Sequence, residues 1–408
     1  MKINKSQFMA YLFFFFNNTG LPGGLLFSNL LSPFLYIWLI YKKKQPVLWP
    51  FLFFLLPFDL IHIILGIEWK SFLTSNLLFL STYIFAYSFY YFLQIQNNIG
   101  HIFKRILVAN FGFAIFACFV YFTPYKETLW YMNKFTKNVE GFYRLSLLTF
   151  EASYYSFLFA PIAIYYVLKV LLRLNTSSSI GLLILVFVPL MLSLSFGVLG
   201  ALVISFLILY IIHFQKVFYK RGFFSWLVLG LLLFVSITIS LILFFPENPL
   251  FLRLSNIYNG IDSSTKGRTT DSFGIAWEVA RERSIWFGSG LGQVKVLAFD
   301  IVKKYYNYWG DLPVVRIPNS IAETIAIFGI FGLIIRFVLI FYFFFKTNVL
   351  NNYYRTVLFF FVFIYQFTGS YITSHVEYVI WILAFSSAFE QFDITKKFNR
   401  FSIQKPSE

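Results

Sequence analysis

Arginines gathered around a carboxylate are the first chemistry this chain offers. Arg144, Arg253, Arg268, Arg281, Arg283 and Arg316 lie in or beside the two longest polar connections between its apolar runs. A guanidinium grips a phosphate through two parallel hydrogen bonds, so such a cluster suits a diphosphate. Glu151 stands in "RLSLLTFEASYYSFLFAPIAIYYV" (144–167), near one end of a run long enough to cross a bilayer. An ionisable group in such a helix is expensive and marks function by default. Arg144 precedes it by seven residues, two turns of a continuous helix, which puts both on one face. The competing explanation is a structural Arg–Glu pair or an acid reaching the interface.

Other candidates are weighed the same way. Glu323, in "IPNSIAETIAIFGIFG", lies one turn into an apolar run and is the second catalytic carboxylate. His375, in "GSYITSHVEYVIW" with Glu377 close behind, is the third candidate base, although an interfacial histidine is the commoner role. Asp59 and His62, one turn apart beside a kinking Pro57, are explained at least as well by packing. Arg281 and Arg283 have Glu278 and Glu282 within a turn, so ion pairing accounts for them; Arg281 is retained as a substrate-binding candidate. Arg268 follows Gly267 ahead of an amphipathic segment, from which it reaches back over the membrane face. There is no Ser-His-Asp arrangement and no histidine cluster with metal spacing, so neither metal nor cofactor is expected.

The elements that must position these residues are apolar helices. The chain is 59% hydrophobic and 12% charged, against about 25% charged in a soluble domain. The reading is an all-α, polytopic integral membrane protein with about 12 (11–12) transmembrane helices, since each crossing needs about 20 apolar residues. The spans fall at roughly 6–20, 21–41, 46–66, 71–94, 104–123, 146–171, 178–194, 196–214, 223–245, 319–345, 354–370 and 374–391. Alternating strands of a barrel are absent. The net charge of +16 follows from basic segments between runs, "YKKKQ" and "HFQKVFYKR" among them, which mark the cytoplasmic side. No basic domain is left to bind nucleic acid. Cys118 is the single cysteine, which excludes an intrachain disulfide. The first apolar segment is expected not to be a cleavable signal, and whether it crosses decides between eleven and twelve spans. Four regions result: a transmembrane bundle (1–245), a large extracytoplasmic loop containing short helices (246–318), three further spans (319–391) and a cytoplasmic tail (392–408).

The loop holds the most polar long stretch, "GRTTDSFGIAWEVARERSIWFGSGLGQV" (267–294). Phe273, Ala276, Trp277 and Ala280 recur at helical spacing. Asp271 favours the helix start, and Gly288, Gly290 and Gly292 end the helix in a flexible turn. With no preceding strand, the glycines are not a dinucleotide fingerprint.

Three segments together resemble the O-antigen polymerase and ligase superfamily of bacterial inner membranes. "RLSLLTFEAS" (144–153) is similar to an arginine followed by Glu-Pro-Ser, with Ala152 in place of proline. Gly267, Arg268, Trp277, Gly288 and Gly290 fill the outer-loop pattern. Pro318-Asn319-Ser320, Glu323 and "FGIFGLI" (328–334) resemble the His-Asn, Glu, Gly-hydrophobic-hydrophobic-Gly segment opening the next span. Pro318 departs from the ligases' histidine, and Phe196 stands where many members carry arginine. The resemblance implies an inverting, metal-independent glycosyltransferase of the polymerase type, joining oligosaccharide repeats carried on undecaprenyl diphosphate. It implies a periplasmic site on the inner membrane and a chain-length regulator as partner. Arg268 and Arg144 are then expected on the diphosphate, with Glu151, Glu323 or His375 as base. Asn319 is expected to contact substrate, and Trp277 and Trp286 to stack on sugars. The alternatives are a ligase transferring glycan to lipid A core, which Pro318 disfavours, and a lipid-linked oligosaccharide flippase or other transporter.

Overall fold

In the computed structural model, residues 5–17, 19, 26–44, 47–96, 98–133, 142–172, 174, 179–218, 255–260, 262–307 and 315–394 are described. The chain is mostly helical. In order come α1 (Lys5–Phe16), α2 (Phe27–Tyr41), α3 (Trp49–Leu65), α4 (Trp69–Ile95), α5 (Ile99–Val120), β1 (Trp130–Asn133), β2 (Phe142–Leu145), α6 (Ala152–Leu171), α7 (Ser179–Ser193) and α8 (Phe196–Phe218). Then follow α9 (Ser263–Arg268), α10 (Thr270–Arg281), α11 (Val294–Tyr306), α12 (Ser320–Lys346), α13 (Tyr353–Tyr365) and α14 (His375–Phe385). Five of these, α4, α5, α6, α8 and α12, are long and apolar enough to cross a membrane; α2, α3, α7, α13 and α14 are shorter apolar helices. The expected span at 223–245 lies outside the described residues.

The chain divides into two compact units. One holds 107–147 and 151–266; the other holds the N-terminal 106 residues, 148–150 and everything from Gly267 on. In the former, β1 and β2 pair antiparallel, with Tyr131 opposite Arg144, and aromatic residues suit such a half-buried pleated pair. Trp130 Nε1 donates to Ala117 O at 2.7 Å, tying the hairpin to α5. This corrects the expectation that Arg144 and Glu151 share a helical face. Arg144 is on a strand, Leu147 has φ +47, and α6 begins only after Glu151, whose extended backbone (φ −153) precedes the first helical residue. The polar connection between α5 and α6 contains this hairpin.

The larger unit is organised around a broken helix. α12 runs from Ser320 to Lys346, but Gly329 has φ 64 and ψ −161, outside helical geometry. A break strands backbone groups that a helix would otherwise pair. The glycine-rich turn after α10 takes them up. Ser289 N donates to Ala326 O (2.8 Å) and Gly290 N to Ile327 O (3.0 Å), while Ile330 N donates to Ile285 O (3.0 Å) and Phe331 N to Trp286 O (3.1 Å). The exchange needs backbones in contact. A Cβ on Gly288 would lie 2.4 Å from Ile327 C, and one on Gly329 2.4 Å from Trp286 C. The turn expected to be flexible is thus packed, and its glycines are there for close approach and positive φ.

Around the joint lies one apolar cluster. It draws Phe51, Leu55 and Phe58 from α3, Ile275 and Val279 from α10, Val294 and Ala298 from α11, and Ala322, Ala326 and Phe328 from α12. Phe328, next to the break, sets its ring 5.3 Å from that of Phe54 and 5.2 Å from that of Phe58. α11 is tied to α10 by Asp271, which accepts from the Tyr305 and Tyr306 hydroxyls at 3.2 and 2.7 Å. Burial together with the Asp271 carboxylate pushes the Tyr306 hydroxyl above its ordinary range.

Gly329→Ala combines a forbidden φ with a backbone clash and is expected to destabilise the protein by ~3 kcal/mol or more. Gly112→Ala, in α5 with nothing within 4 Å of the added Cβ, is expected to gain ~0.5–1 kcal/mol. Thermal unfolding of both variants in detergent checks the pair.

Candidate functional site

The candidate site in the larger unit is built at the start of α12. Asn319, fully buried, caps that helix with Oδ1, which accepts from Ile321 N (3.1 Å) and Ala322 N (2.9 Å). Its Nδ2 donates to Arg268 O (2.8 Å) and Phe367 O (2.6 Å). Every donor and acceptor of this amide is occupied within the protein. The residue expected to contact substrate therefore positions others: it joins the end of α9 and the end of α13 to the start of α12.

Glu323 follows one turn on. Its Oε2 accepts from Ile372 N at 2.7 Å, in the 366–374 link between α13 and α14. Its Oε1 has no hydrogen-bond partner among the described residues, and the residue is half-buried. That leaves one carboxylate oxygen fixed and one available. The charges of Arg336, Arg316 and Glu377 all bear on it. Arg316 also bears on Lys295, in the first turn of α11. Although Lys295 is exposed overall, burial of its ammonium, reinforced by Arg316, holds it below the ordinary lysine range, with Glu323 acting in the opposite sense. Val294, Val315, Ile317, Ala322 and Ile372 belong to one apolar cluster, which places Lys295, Arg316 and Glu323 around its rim.

Arg336 and Glu377 form a buried ion pair, N to O 2.5 Å. His375 is also buried; its Nδ1 lies 3.2 Å from Ser28 Oγ, and Phe85 meets its ring edge-to-face. Several buried polar atoms nearby have no partner among the described residues: Gln366 Nε2, Ser370 Oγ, Ser374 Oγ, His375 Nε2 and Glu377 Oε2.

The α10 residues divide by role. Arg281 pairs with Glu278 at 2.9 Å on the exposed face and lies 5.7 Å over the Trp277 ring. Arg283 donates to Leu65 O at the end of α3 and so caps that helix. Trp286 remains 56% exposed, large enough to present a ring face while packing on Phe331 (5.4 Å). Arg268 ends α9 and contributes its carbonyl to Asn319. His62 lies under the turn: its Nε2 is 2.8 Å from Phe287 O, and Gly290 packs on its ring.

Arg144 and Glu151 belong to the smaller unit. Arg144 is buried and its Nε donates to Ser193 O at the end of α7 (2.9 Å). The Glu151 carboxylate accepts from Ser153 Oγ at 2.6 Å. An apolar groove in that unit is lined by Trp130, Tyr143, Phe187, Val188, Met191 and Leu194. Among the described residues no group of three or more His, Cys, Asp or Glu gathers to hold a metal.

Arg336, Gln366 and Lys295 are absent from the candidates read in the sequence. For Arg336 a signal exists: it is the lone charge in "FGLIIRFVLIF" (331–341), and a lone charge in such a run has a partner or a purpose.

Asn319→Asp keeps the cap but turns two donations into carboxylate–carbonyl repulsion, with an expected loss of ~1–3 kcal/mol. Arg281→Ala breaks only an exposed pair and is expected to change stability by less than ~1 kcal/mol. Thermal unfolding of the two variants side by side checks this. No family model matches the chain, and no curated protein matches it.

Proposed function

We propose that the protein polymerises polysaccharide repeat units, as an inverting, metal-independent glycosyltransferase acting on undecaprenyl-diphosphate-linked oligosaccharides at the periplasmic face of a bacterial inner membrane. The proposal includes a topology of 11–12 spans and the single large outer loop over 246–318. What supports it is one observation. Two separate stretches that carry the resemblance, Gly267–Gly292 and Pro318–Gly332, interlock through Asn319 with Arg268 and through Gly288 with Gly329.

The reaction assigned here needs little covalent help. An acceptor sugar hydroxyl attacks the anomeric carbon of the growing chain; the new C–O bond forms as the bond to the diphosphate breaks. The hydroxyl proton passes to a carboxylate, and the diphosphate leaves with the bonding pair. We assign the base role to Glu323 because Ile372 N holds one oxygen and leaves the other available. Glu151 stays a candidate in the smaller unit. Lys295 and Arg316 join Arg268 as cations for the developing charge on the leaving group. Trp286 offers a ring face to a sugar.

A transporter is the second reading, favoured by the broken helix α12 and by the charge of Arg336 within it, since transporter sites are built on discontinuous helices. At this break, however, the loop takes up the freed groups through four hydrogen bonds. The break acts as a docking joint for the glycine turn.

The test is the surface polysaccharide of a strain lacking the protein, complemented with variants and resolved on a gel. Glu323→Gln and Arg268→Ala are expected to reduce the ladder to a single repeat unit, with activity down at least ~100-fold, while Gly112→Ala, in α5, restores it. Accumulation of long lipid-linked chains with none at the surface would identify a ligase, and an unchanged ladder in the deletion strain would reject both enzymes.

A further inference from the structure

The guanidinium of Arg336 lies beyond the break in α12 and reaches back across it. Nη1 donates to Ser320 O (3.2 Å) and Thr324 Oγ1 (2.8 Å). Nη2 donates to Ser320 Oγ (3.0 Å), Gln366 Oε1 (3.0 Å) and Glu377 Oε1 (2.5 Å). These partners sit on three elements: the first half of α12, the end of α13 and the first turn of α14. The same three elements determine where Glu323 stands. Ser320 and Thr324 flank it on its own helix. Gln366 O accepts from Ile321 N and Gly369 O from Ser320 N, which seats the link against the helix start. Ile372, within that link, donates its N–H to Glu323.

A buried ion pair is poor evidence for stability, because apolar groups of similar volume often serve as well or better. Glu377 is 2% exposed and Arg336 only partly exposed, so the pair carries a desolvation cost that packing alone does not justify. A planar fork that bonds to several elements at once delivers geometry. The link's backbone is tied to the helix start by Asn319, Ser320 and Ile321, but its side chains add little: Gln366 Nε2, Ser370 Oγ and Ser374 Oγ have no partner among the described residues. Ser370 also carries φ +68, a conformation a non-glycine residue adopts when its surroundings hold it there.

We infer that Arg336 is a positioning residue for Glu323: with Glu377 as counter-ion, it clamps the first half of α12 to the 366–374 link so that the Ile372 amide fixes one oxygen of the Glu323 carboxylate and aims the other. The inference rests on the base role proposed for Glu323 only as far as turnover is concerned; the clamp itself has a readout that needs no activity.

The experiment compares the full-length protein with Arg336→Met/Glu377→Met, which removes both charges at similar volume, and with Arg336→Lys, which keeps the charge without the fork. Amide hydrogen exchange is followed over 366–374, with α10 as internal control. In both variants exchange at Ile372 is expected to rise on the order of tenfold, while α10 keeps its protection. Turnover of a lipid-linked repeat unit by the double variant is expected to fall about a hundredfold at nearly unchanged KM, as misplacement of a catalytic group does. Unchanged protection at Ile372 in the double variant overturns the inference. Lost protection with full turnover overturns it as well, since the carboxylate then needs no such placement. Lost protection in a protein whose wild type makes no polymer supports the clamp and rejects the polymerase reading. If the double variant does not fold, Arg336→Lys and Thr324→Val decide by the same exchange measurement, with a smaller rise expected for Thr324→Val.

Discussion

The break in α12 at Gly329 strands backbone groups that have no partner within their own helix, and in an apolar surrounding each such group costs several kcal/mol. Their partners come from Ile285, Trp286, Ser289 and Gly290, some forty residues earlier in the chain. The rest of the larger unit follows from this exchange. The glycine turn must lie against α12, so α10 lies against it too, and His62 comes to pack beneath the turn. With the turn seated, Arg268 at the end of α9 falls within reach of Asn319, and the cap of α12 becomes a tie between distant segments.

Two kinds of polar interaction surround that joint, and they differ in purpose. Asn319, Arg283 and Asp271 are occupied by backbone carbonyls, amides or tyrosine hydroxyls and serve the fold. Glu323, Lys295 and Arg316 act on one another at the rim of the apolar cluster, where Glu323 keeps an available oxygen. Arg336 stands between the two groups, bonded to the elements that carry the carboxylate. This arrangement puts the Glu323 carboxylate on a short half-helix held from both ends, as positional accuracy requires.

Much of this arrangement is written locally in the sequence. The apolar runs predict the helices, and the spacing of Phe273, Ala276, Trp277 and Ala280 predicts α10. Glu323 stands out because a carboxylate in an apolar run is conspicuous. The break was not legible, because "IFGIFG" reads as an ordinary apolar helix with small residues and its cause lies in a remote turn. The helical phase linking Arg144 to Glu151 failed because the chain turns at Leu147 and pairs as a hairpin, a tertiary choice that periodicity does not record. The capping role of Asn319 is legible too, since an Asn before an apolar run is the type of a helix cap as much as of a ligand contact.

The proposed reaction is glycosyl transfer between two lipid-linked repeats with release of a lipid diphosphate. The most direct measurement places the purified protein in liposomes with lipid-linked repeat units and without divalent cations, and counts released undecaprenyl diphosphate against new glycosidic bonds by mass spectrometry. One diphosphate released per bond formed, with inverted configuration at the new linkage, is the expected result. Movement of intact lipid-linked repeats across the bilayer with no bond formed would contradict it.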